Sequence, residues 1–83
     1  MEKRIGVVGI VVENMDCTAR LNSILHDHAD IIIGRLGVPL KERKISVISL
    51  IVEGTTDQIG ALTGKIGNLP GVNVKSALSK SYS

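Results

Sequence analysis

Three side chains in this sequence are of types that commonly do chemistry: Cys17, His26 and His28. A cysteine thiolate can attack an electrophile, and a histidine can serve as its base. Cys17 and His28 share one face of a predicted helix, but their eleven-residue separation puts their Cα atoms about 16 Å apart. They therefore cannot form a nucleophile–base pair within one chain. No two carboxylates have a spacing that forces them together, so we expect that the protein is not an enzyme.

A metal site is the next chemistry to consider, and residues 15–20 are the place for it. Heavy-metal-associated domains carry Met-x-Cys-x-x-Cys in the first strand-to-helix loop, and Met-Asp-Cys-Thr-Ala-Arg resembles that motif with Arg20 in place of the second cysteine. A soft metal prefers at least two thiolates, and a neighbouring cation opposes binding. We therefore expect no metal and no other cofactor. The alternative function is a metal-handling protein that uses Cys17. A metal site between subunits that includes His26 or His28 is left open.

The same loop is the candidate place for a small ligand. Free backbone N–H groups at the start of a helix are donors for an anionic ligand, and Asn14 and Asp16 lie just before the first predicted helix. Both residues are also good helix caps, and the negative charges of Asp16 and Glu13 disfavour a carboxylate. We therefore take Asn14 and Asp16 as a hypothetical ligand-binding pair, with capping as their competing role.

The second predicted helix carries a stripe of glycines, Gly60, Gly64 and Gly67, at positions i, i+4 and i+7. Each glycine costs about 1 kcal/mol of helix stability relative to alanine. Such a stripe lets a neighbour approach closely. We interpret it as a packing or interface stripe, against the first helix or another subunit, with a ligand wall as the alternative. On this interpretation Gly64→Ala costs about 1–3 kcal/mol through overpacking.

The elements that must position these residues follow the order strand, helix, strand, strand, helix, strand. The predicted strands are residues 4–12, 30–38 with Pro39 as the stop, 45–52 and 72–78; the predicted helices run from residue 14 or 16 to about 28, and from 55 until Pro70. Thr55 and Gln58 have the spacing of a capping box. This order predicts an α+β, ferredoxin-like βαββαβ domain, with an antiparallel sheet in the order 4-1-3-2 and both helices on one face.

Length and composition fit one small domain. The chain has 83 residues, so we expect a single domain over residues 1–83, with 79–83 as a frayed tail. Tyr82 is the one aromatic residue, so the core must be aliphatic. The single cysteine indicates a reducing compartment, and no run is long enough for a membrane span, so we expect a cytoplasmic protein without membrane association.

Nucleic acid is a weak candidate partner. The net charge is +2, which is too small to indicate nucleic-acid binding by itself. RNA-recognition domains have this topology, but they stack bases on aromatic side chains of the two central strands, and these strands have none. We expect no direct nucleic-acid binding.

The two strands predicted to be central are apolar on both sides. A sheet with one solvated face alternates apolar and polar residues, but residues 5–12 and 45–52 place aliphatic side chains at both odd and even positions. Helices can cover only one of these faces, and no further chain is left for the other. We therefore expect a homo-oligomer, a dimer or a tetramer, in which another copy covers the second face.

A family resemblance is carried by the glycine helix and the residues directly after it. Residues 59–67, Ile-Gly-Ala-Leu-Thr-Gly-Lys-Ile-Gly, and residues 69–72, Leu-Pro-Gly-Val, resemble the small ACT-like family of iron-only hydrogenase system regulators. Residues 11–13 and 31–39 are also similar, and the resemblance spans about residues 4–78. This family is similar to ACT domains and to the C-terminal domain of the nickel-responsive repressor. The resemblance implies a regulator, including of transcription, for the hydrogenase system of an anaerobic bacterium.

Two departures limit what the resemblance implies. The common ACT ligand loop has Pro-Gly after the first strand, whereas this chain has Asn14, Met15 and Asp16. The histidine-bearing strand of the nickel repressor matches residues 30–38, which have no histidine, so its nickel site does not carry over. The sequence also has no recognisable DNA-binding segment. The resemblance therefore implies a stand-alone regulatory or ligand-sensing module that works through a protein partner or a small ligand.

Overall fold

A computed structural model describes residues 2–80. The strands are β1 (Arg4–Val12), β2 (Ile32–Leu40), β3 (Ile45–Gly54) and β4 (Val72–Leu78), and the helices are α1 (Thr18–Asp27) and α2 (Thr56–Gly67). Single 3-10 turns at Met15–Cys17, Ala29–Ile31 and Lys41–Arg43 join them.

The four strands form one antiparallel sheet in the order β2-β3-β1-β4. This is the predicted order, read from the opposite edge, and β1 and β3 are central as predicted. Both helices contribute to a single core on one face of the sheet. The ferredoxin-like βαββαβ fold class is therefore confirmed.

The core is aliphatic because alternate residues of the strands face the apolar stripes of the helices. In β1 the buried residues recur with period two, and in α2 they recur at helical spacing. Together the strands and the two helices contribute Val8, Ile10, Val12, Ile48, Leu50, Val52, Val72, Leu21, Leu25, Ile59, Leu62 and Ile66. Among the described residues, no polar or charged side chain is buried with them.

The predicted capping box at the start of α2 is confirmed. The Gln58 backbone N–H donates to Thr55 Oγ1 at 3.1 Å, and the Thr55 N–H donates to Gln58 Oε1 at 2.9 Å. These bonds satisfy N–H groups that the first turn of a helix leaves without partners. The start of α2 is therefore fixed by local sequence.

The predicted bounds of the second strand are wrong at both ends. Asp30 lies in the Ala29–Ile31 turn, and β2 continues through Pro39 to Leu40. Proline lacks the N–H that a central strand would need on both sides, but β2 is an edge strand and tolerates it. The strand therefore reaches the charged connection directly.

Part of the predicted frayed tail is held in place. The backbone N–H of Ser79 donates to the Ile5 carbonyl at 2.8 Å, and the Ile5 N–H donates to Ser79 Oγ at 3.1 Å. Arg4 Nη1 donates to the Ser79 carbonyl at 3.1 Å. Fraying is therefore wrong for Ser79, while residues 81–83, including Tyr82, lie outside the described residues.

The glycine stripe of α2 does not pack against α1. A Cβ added at Gly60 or Gly64 meets nothing within 4 Å, and one added at Gly67 lies 3.5 Å from Val74 Cγ1. Packing against the first helix is therefore wrong for Gly60 and Gly64, because this side of α2 faces away from the core. Packing against another subunit stays a prediction.

We expect Gly64→Ala to stabilise the chain by up to about 1 kcal/mol, because alanine lowers the entropy cost of the helix and its methyl group meets no neighbour. Gly6→Ala is the contrasting variant, since its Cβ would lie 2.5 Å from the Ala77 carbonyl oxygen. We expect Gly6→Ala to cost about 1–3 kcal/mol. Urea unfolding of both variants measures the two changes. A destabilised Gly64→Ala would contradict the open face and would favour subunit packing there.

Candidate functional site

The loop between β1 and α1 is folded tightly upon itself. Asn14 Oδ1 accepts from the Asp16 N–H at 3.0 Å, and the Asn14 carbonyl accepts from the Cys17 N–H at 3.1 Å. Thr18 Oγ1 donates to the Met15 carbonyl at 2.8 Å. The donors that were candidates for an anionic ligand at Asp16 and Cys17 are therefore already used inside the loop.

The loop is also tied to the turn that precedes β4. The Glu13 N–H donates to the Gly71 carbonyl at 2.7 Å. Gly71 has a φ of 73°, which favours glycine, and a Cβ added there would lie 2.6 Å from Asn14 Cβ. Two independent requirements, the backbone angle and the close approach, therefore call for glycine at this position.

The capping role of Asn14 is thus observed, at the 3-10 turn that leads into α1. Asp16 is exposed, and its backbone N–H is the group that Asn14 caps. Ligand binding by Asn14 and Asp16 stays a prediction, and a ligand there would have to replace the bonds that the loop makes with itself.

Cys17 is buried and has polar neighbours. It is 2% exposed, its Sγ donates to the Pro70 carbonyl at 3.2 Å, and Arg20 Nη2 donates to Sγ at 3.7 Å. The thiol therefore packs in the core beneath the turn before β4. The reducing compartment inferred from this lone cysteine stays a prediction.

The two histidines lie at the other end of α1. His26 is exposed, whereas His28 is half-buried with Nε2 at 3.4 Å from Lys65 Nζ. Cys17 precedes the first residue of α1 and His28 follows the last, so the structure does not bring them together. Among residues 2–80, no three His, Cys, Asp or Glu side chains are grouped closely enough to hold a metal ion. A site shared between subunits stays a prediction.

The other candidate region is the sheet face opposite the helices, which we call the outer sheet face. Strand register defines it, since Val7 pairs with Ile51 and Val11 with Val47 on β3, and Val38 pairs with Val47 from β2. Its members are Ile5, Val7, Gly9 and Val11 of β1, Ile45, Val47, Ser49, Ile51 and Glu53 of β3, Gly34, Leu36, Val38 and Leu40 of β2, and Asn73, Lys75 and Ala77 of β4.

The outer sheet face exposes large aliphatic side chains at its centre. Val7 is 43% exposed, and its cross-strand neighbour Ile51 is 40% exposed. On the edge strand, Leu36 is 65% exposed. The described charged members, Glu53 and Lys75, lie at the periphery, so the centre is an apolar surface without a charge.

Sequence reasoning identified the contribution of the two central strands and missed that of β2. Leu36, Val38 and Leu40 extend the outer sheet face across the edge strand. The missed signal was their period-two spacing, which continues past Pro39, where the strand was predicted to end.

The sheet order, the two helices on one face and the open apolar face opposite define a ferredoxin-like βαββαβ domain with an unoccupied binding surface. Comparison with protein families is more specific. The chain belongs to the TM1266-like family, described as iron-only hydrogenase system regulators, whose model matches residues 4–76. No functionally curated protein matches the sequence.

Solved structures agree with this assignment. The chain is similar to the uncharacterized protein TM1266 from Thermotoga maritima, with a TM-score of 0.90 and 36% identity, over 95% of this chain and 100% of that one. More distant neighbours share the fold alone. One is the PII-like nitrogen regulatory protein CPII from Thiomonas intermedia K12, at 14% identity and a TM-score of 0.52, over 92% of this chain and 90% of that one.

Another distant neighbour is the periplasmic divalent cation tolerance protein CutA from Archaeoglobus fulgidus. It is 10% identical, with a TM-score of 0.53, over 92% of this chain and 84% of that one. Within the described part of this chain, neither helix has the length and apolar character needed to cross a membrane.

The burial of Cys17 generates a test. We expect its thiol to react with iodoacetamide about 100-fold or more slowly in the folded chain than in urea, because labelling requires local opening of the loop and the turn. The control is Ser23→Cys in a Cys17→Ser background, which puts a thiol at an exposed position of α1. Mass spectrometry follows both rates. Equal labelling of Cys17 and the control in the folded state would contradict the burial of the thiol.

Proposed function

We propose that the chain is a stand-alone ACT-like regulatory module that self-associates through the outer sheet face and acts on a protein partner or in response to a small ligand. Membership of the TM1266-like family supports the regulatory role. The observation that carries the self-association is the apolar centre of the outer sheet face. The module has no need to contact nucleic acid itself on this proposal.

The size of the outer sheet face suits a second copy of the chain. Four strands of about nine residues, at about 3.3 Å per residue and 4.8 Å between strands, present about 550 Å². Two such faces bury about 1,100 Å², which is above the roughly 1,000 Å² expected of a biological interface. An apolar patch of this size is also at the upper end of what a monomer leaves in water.

The charges at the periphery of the outer sheet face also suit a second copy. Glu53 lies on β3 and Lys75 on β4, and they are of opposite sign. A two-fold axis brings each part of a surface against other parts of the same surface on the partner. The face is therefore neutral as a whole and can pair with itself without accumulating like charges.

We propose in addition that regulation involves no catalysis by this chain. The thiol of Cys17 contacts the Pro70 carbonyl and Arg20, and neither can act as a general base for it. The histidines lie at the far end of α1, and Nε2 of His28 is next to Lys65. The chain would then exert its effect through binding equilibria alone.

Metal handling through Cys17 is the competing function. Arg20 donates to the thiol at 3.7 Å, and this nearby cation opposes a bound metal ion. Calorimetric titration with nickel, zinc and copper(I) separates the two functions. A stoichiometric site tighter than micromolar that disappears in Cys17→Ser would contradict the regulatory module as the whole account.

We expect the protein to be a dimer or larger at micromolar concentration and Ile51→Lys to lower its association constant about 100-fold or more. The reason is that an unpaired ammonium group in an apolar interface costs about 3 kcal/mol or more. Met15→Lys is the matched control, because Met15 is 45% exposed but lies outside the outer sheet face. Sedimentation equilibrium measures association, and urea unfolding checks that both variants fold.

Two results would overturn the proposal. One is a wild-type chain that stays monomeric at micromolar concentration. The other is a folded Ile51→Lys variant that associates as strongly as the wild type, which would place the interface elsewhere.

A further inference from the structure

A cavity of about 360 Å³ lies between α1 and the edge strand β2, on the helix side of the sheet. Its lining residues are Asn22, Leu25, His26, Ala29, Ile32 and Arg35. The cavity is at the low end of the size range of small-molecule sites. It lies on the opposite side of the sheet from the outer sheet face.

The geometry of β2 explains why a cation borders this cavity. Arg35 pairs with Leu50, whose side chain is fully buried on the helix side, so Arg35 lies in the row of residues that faces the helices. The other member of that row at the cavity is the apolar Ile32. None of the side-chain hydrogen bonds found among residues 2–80 is donated by Arg35. Its guanidinium group is therefore available to an external partner.

Helix α1 supplies further polar groups to the same cavity. Asn22 and His26 are spaced i, i+4, which puts them on one side of the helix, and both line the cavity with Arg35. No carboxylate is among the described residues that line it. The polar groups can therefore donate hydrogen bonds to an anion, and none repels it.

The neighbouring cavity at the end of α1 has the opposite character. It is lined by Asp27, Asp30 and Asp57, together with His28. The two sides of the C-terminal end of α1 therefore differ in charge. An anion near this helix end is favoured at the cavity bordered by Arg35 and disfavoured at the other.

The apolar lining adds a second requirement for the ligand. Leu25, Ala29 and Ile32 lie beside the three polar side chains. An inorganic anion would leave these side chains uncovered, whereas a short hydrocarbon group would remove them from water. The bidentate geometry of arginine suits a carboxylate or a phosphate.

We propose that this cavity binds a small organic anion, whose carboxylate or phosphate group is held by Arg35 with Asn22 and His26, and whose short apolar part packs on Leu25 and Ile32. The site is distinct from the hypothetical pair Asn14 and Asp16, which lies at the other end of α1. It is also independent of the proposed self-association, because no member of the outer sheet face lines the cavity.

The test is a titration of the ¹⁵N-labelled full-length chain, followed by NMR, with isobutyrate, isobutyl phosphate and the neutral isobutyramide. We expect both anions to shift the amide signals of Asn22, His26 and Arg35, with a dissociation constant on the order of 1 mM for fragments of this size. We expect the neutral amide to bind at least about tenfold more weakly, since it lacks the charge-assisted bonds. The tighter of the two anions identifies the preferred acid group.

The decisive variant is Arg35→Gln, with Arg43→Gln as its matched control at an exposed position in the connection between β2 and β3. We expect Arg35→Gln to weaken binding about tenfold or more and Arg43→Gln to leave it unchanged. The spectrum of each variant verifies its fold, and sedimentation equilibrium is run on both, so that loss of ligand binding and loss of self-association are told apart. Undiminished binding by Arg35→Gln, equal binding of the neutral amide, or shifts confined to the loop of Asn14 and Asp16 would each overturn the proposal.

Discussion

The structure depends on one constraint: two helices can bury only one face of a sheet whose central strands are apolar on both. Successive side chains of β1 and β3 point to opposite faces, so every buried residue such as Val8 has neighbours, Val7 and Gly9, on the uncovered side. The buried side is completed by α1 and α2 without any aromatic residue. The outer sheet face is what remains, and its apolar centre must be either tolerated in water or covered by another molecule.

The loop between β1 and α1 is the best-fixed part of the chain outside the sheet. It connects to the turn before β4 through Glu13, Asn14 and Gly71, and the thiol of Cys17 completes the contact at the Pro70 carbonyl. The residue types that first suggested chemistry thus serve the joining of two distant parts of the chain. A reactive residue type acquires a chemical role only through its surroundings, and here those surroundings are the carbonyl and the arginine that the fold provides.

Strand β2 links the two surfaces for which we propose binding. Arg35 lies on the helix side, at the cavity, and the next residue, Leu36, lies on the outer sheet face. A ligand that prefers either the free or the associated chain would shift the equilibrium by the ratio of its two affinities, and association would change ligand affinity by the same factor. A regulator of this size needs no second domain for such coupling, because adjacent residues of one strand contact both surfaces.

The sequence by itself determined the order of the elements, the central position of β1 and β3, the aliphatic core and the capping box of Thr55 and Gln58. These features come from periodicity and from contacts between residues close in the chain, which a sequence displays directly. The strands' two-sided apolar character also indicated an uncovered face.

The tertiary structure decided the features that depend on contacts between residues far apart in the chain. It carried β2 through Pro39, because the strand lies at an edge, and it held Ser79 against Ile5. It also turned Gly60 and Gly64 away from α1 and placed Arg35 beside His26 at one cavity. Spacing along one element tells which residues share a face, but only the packing of the elements decides what that face meets.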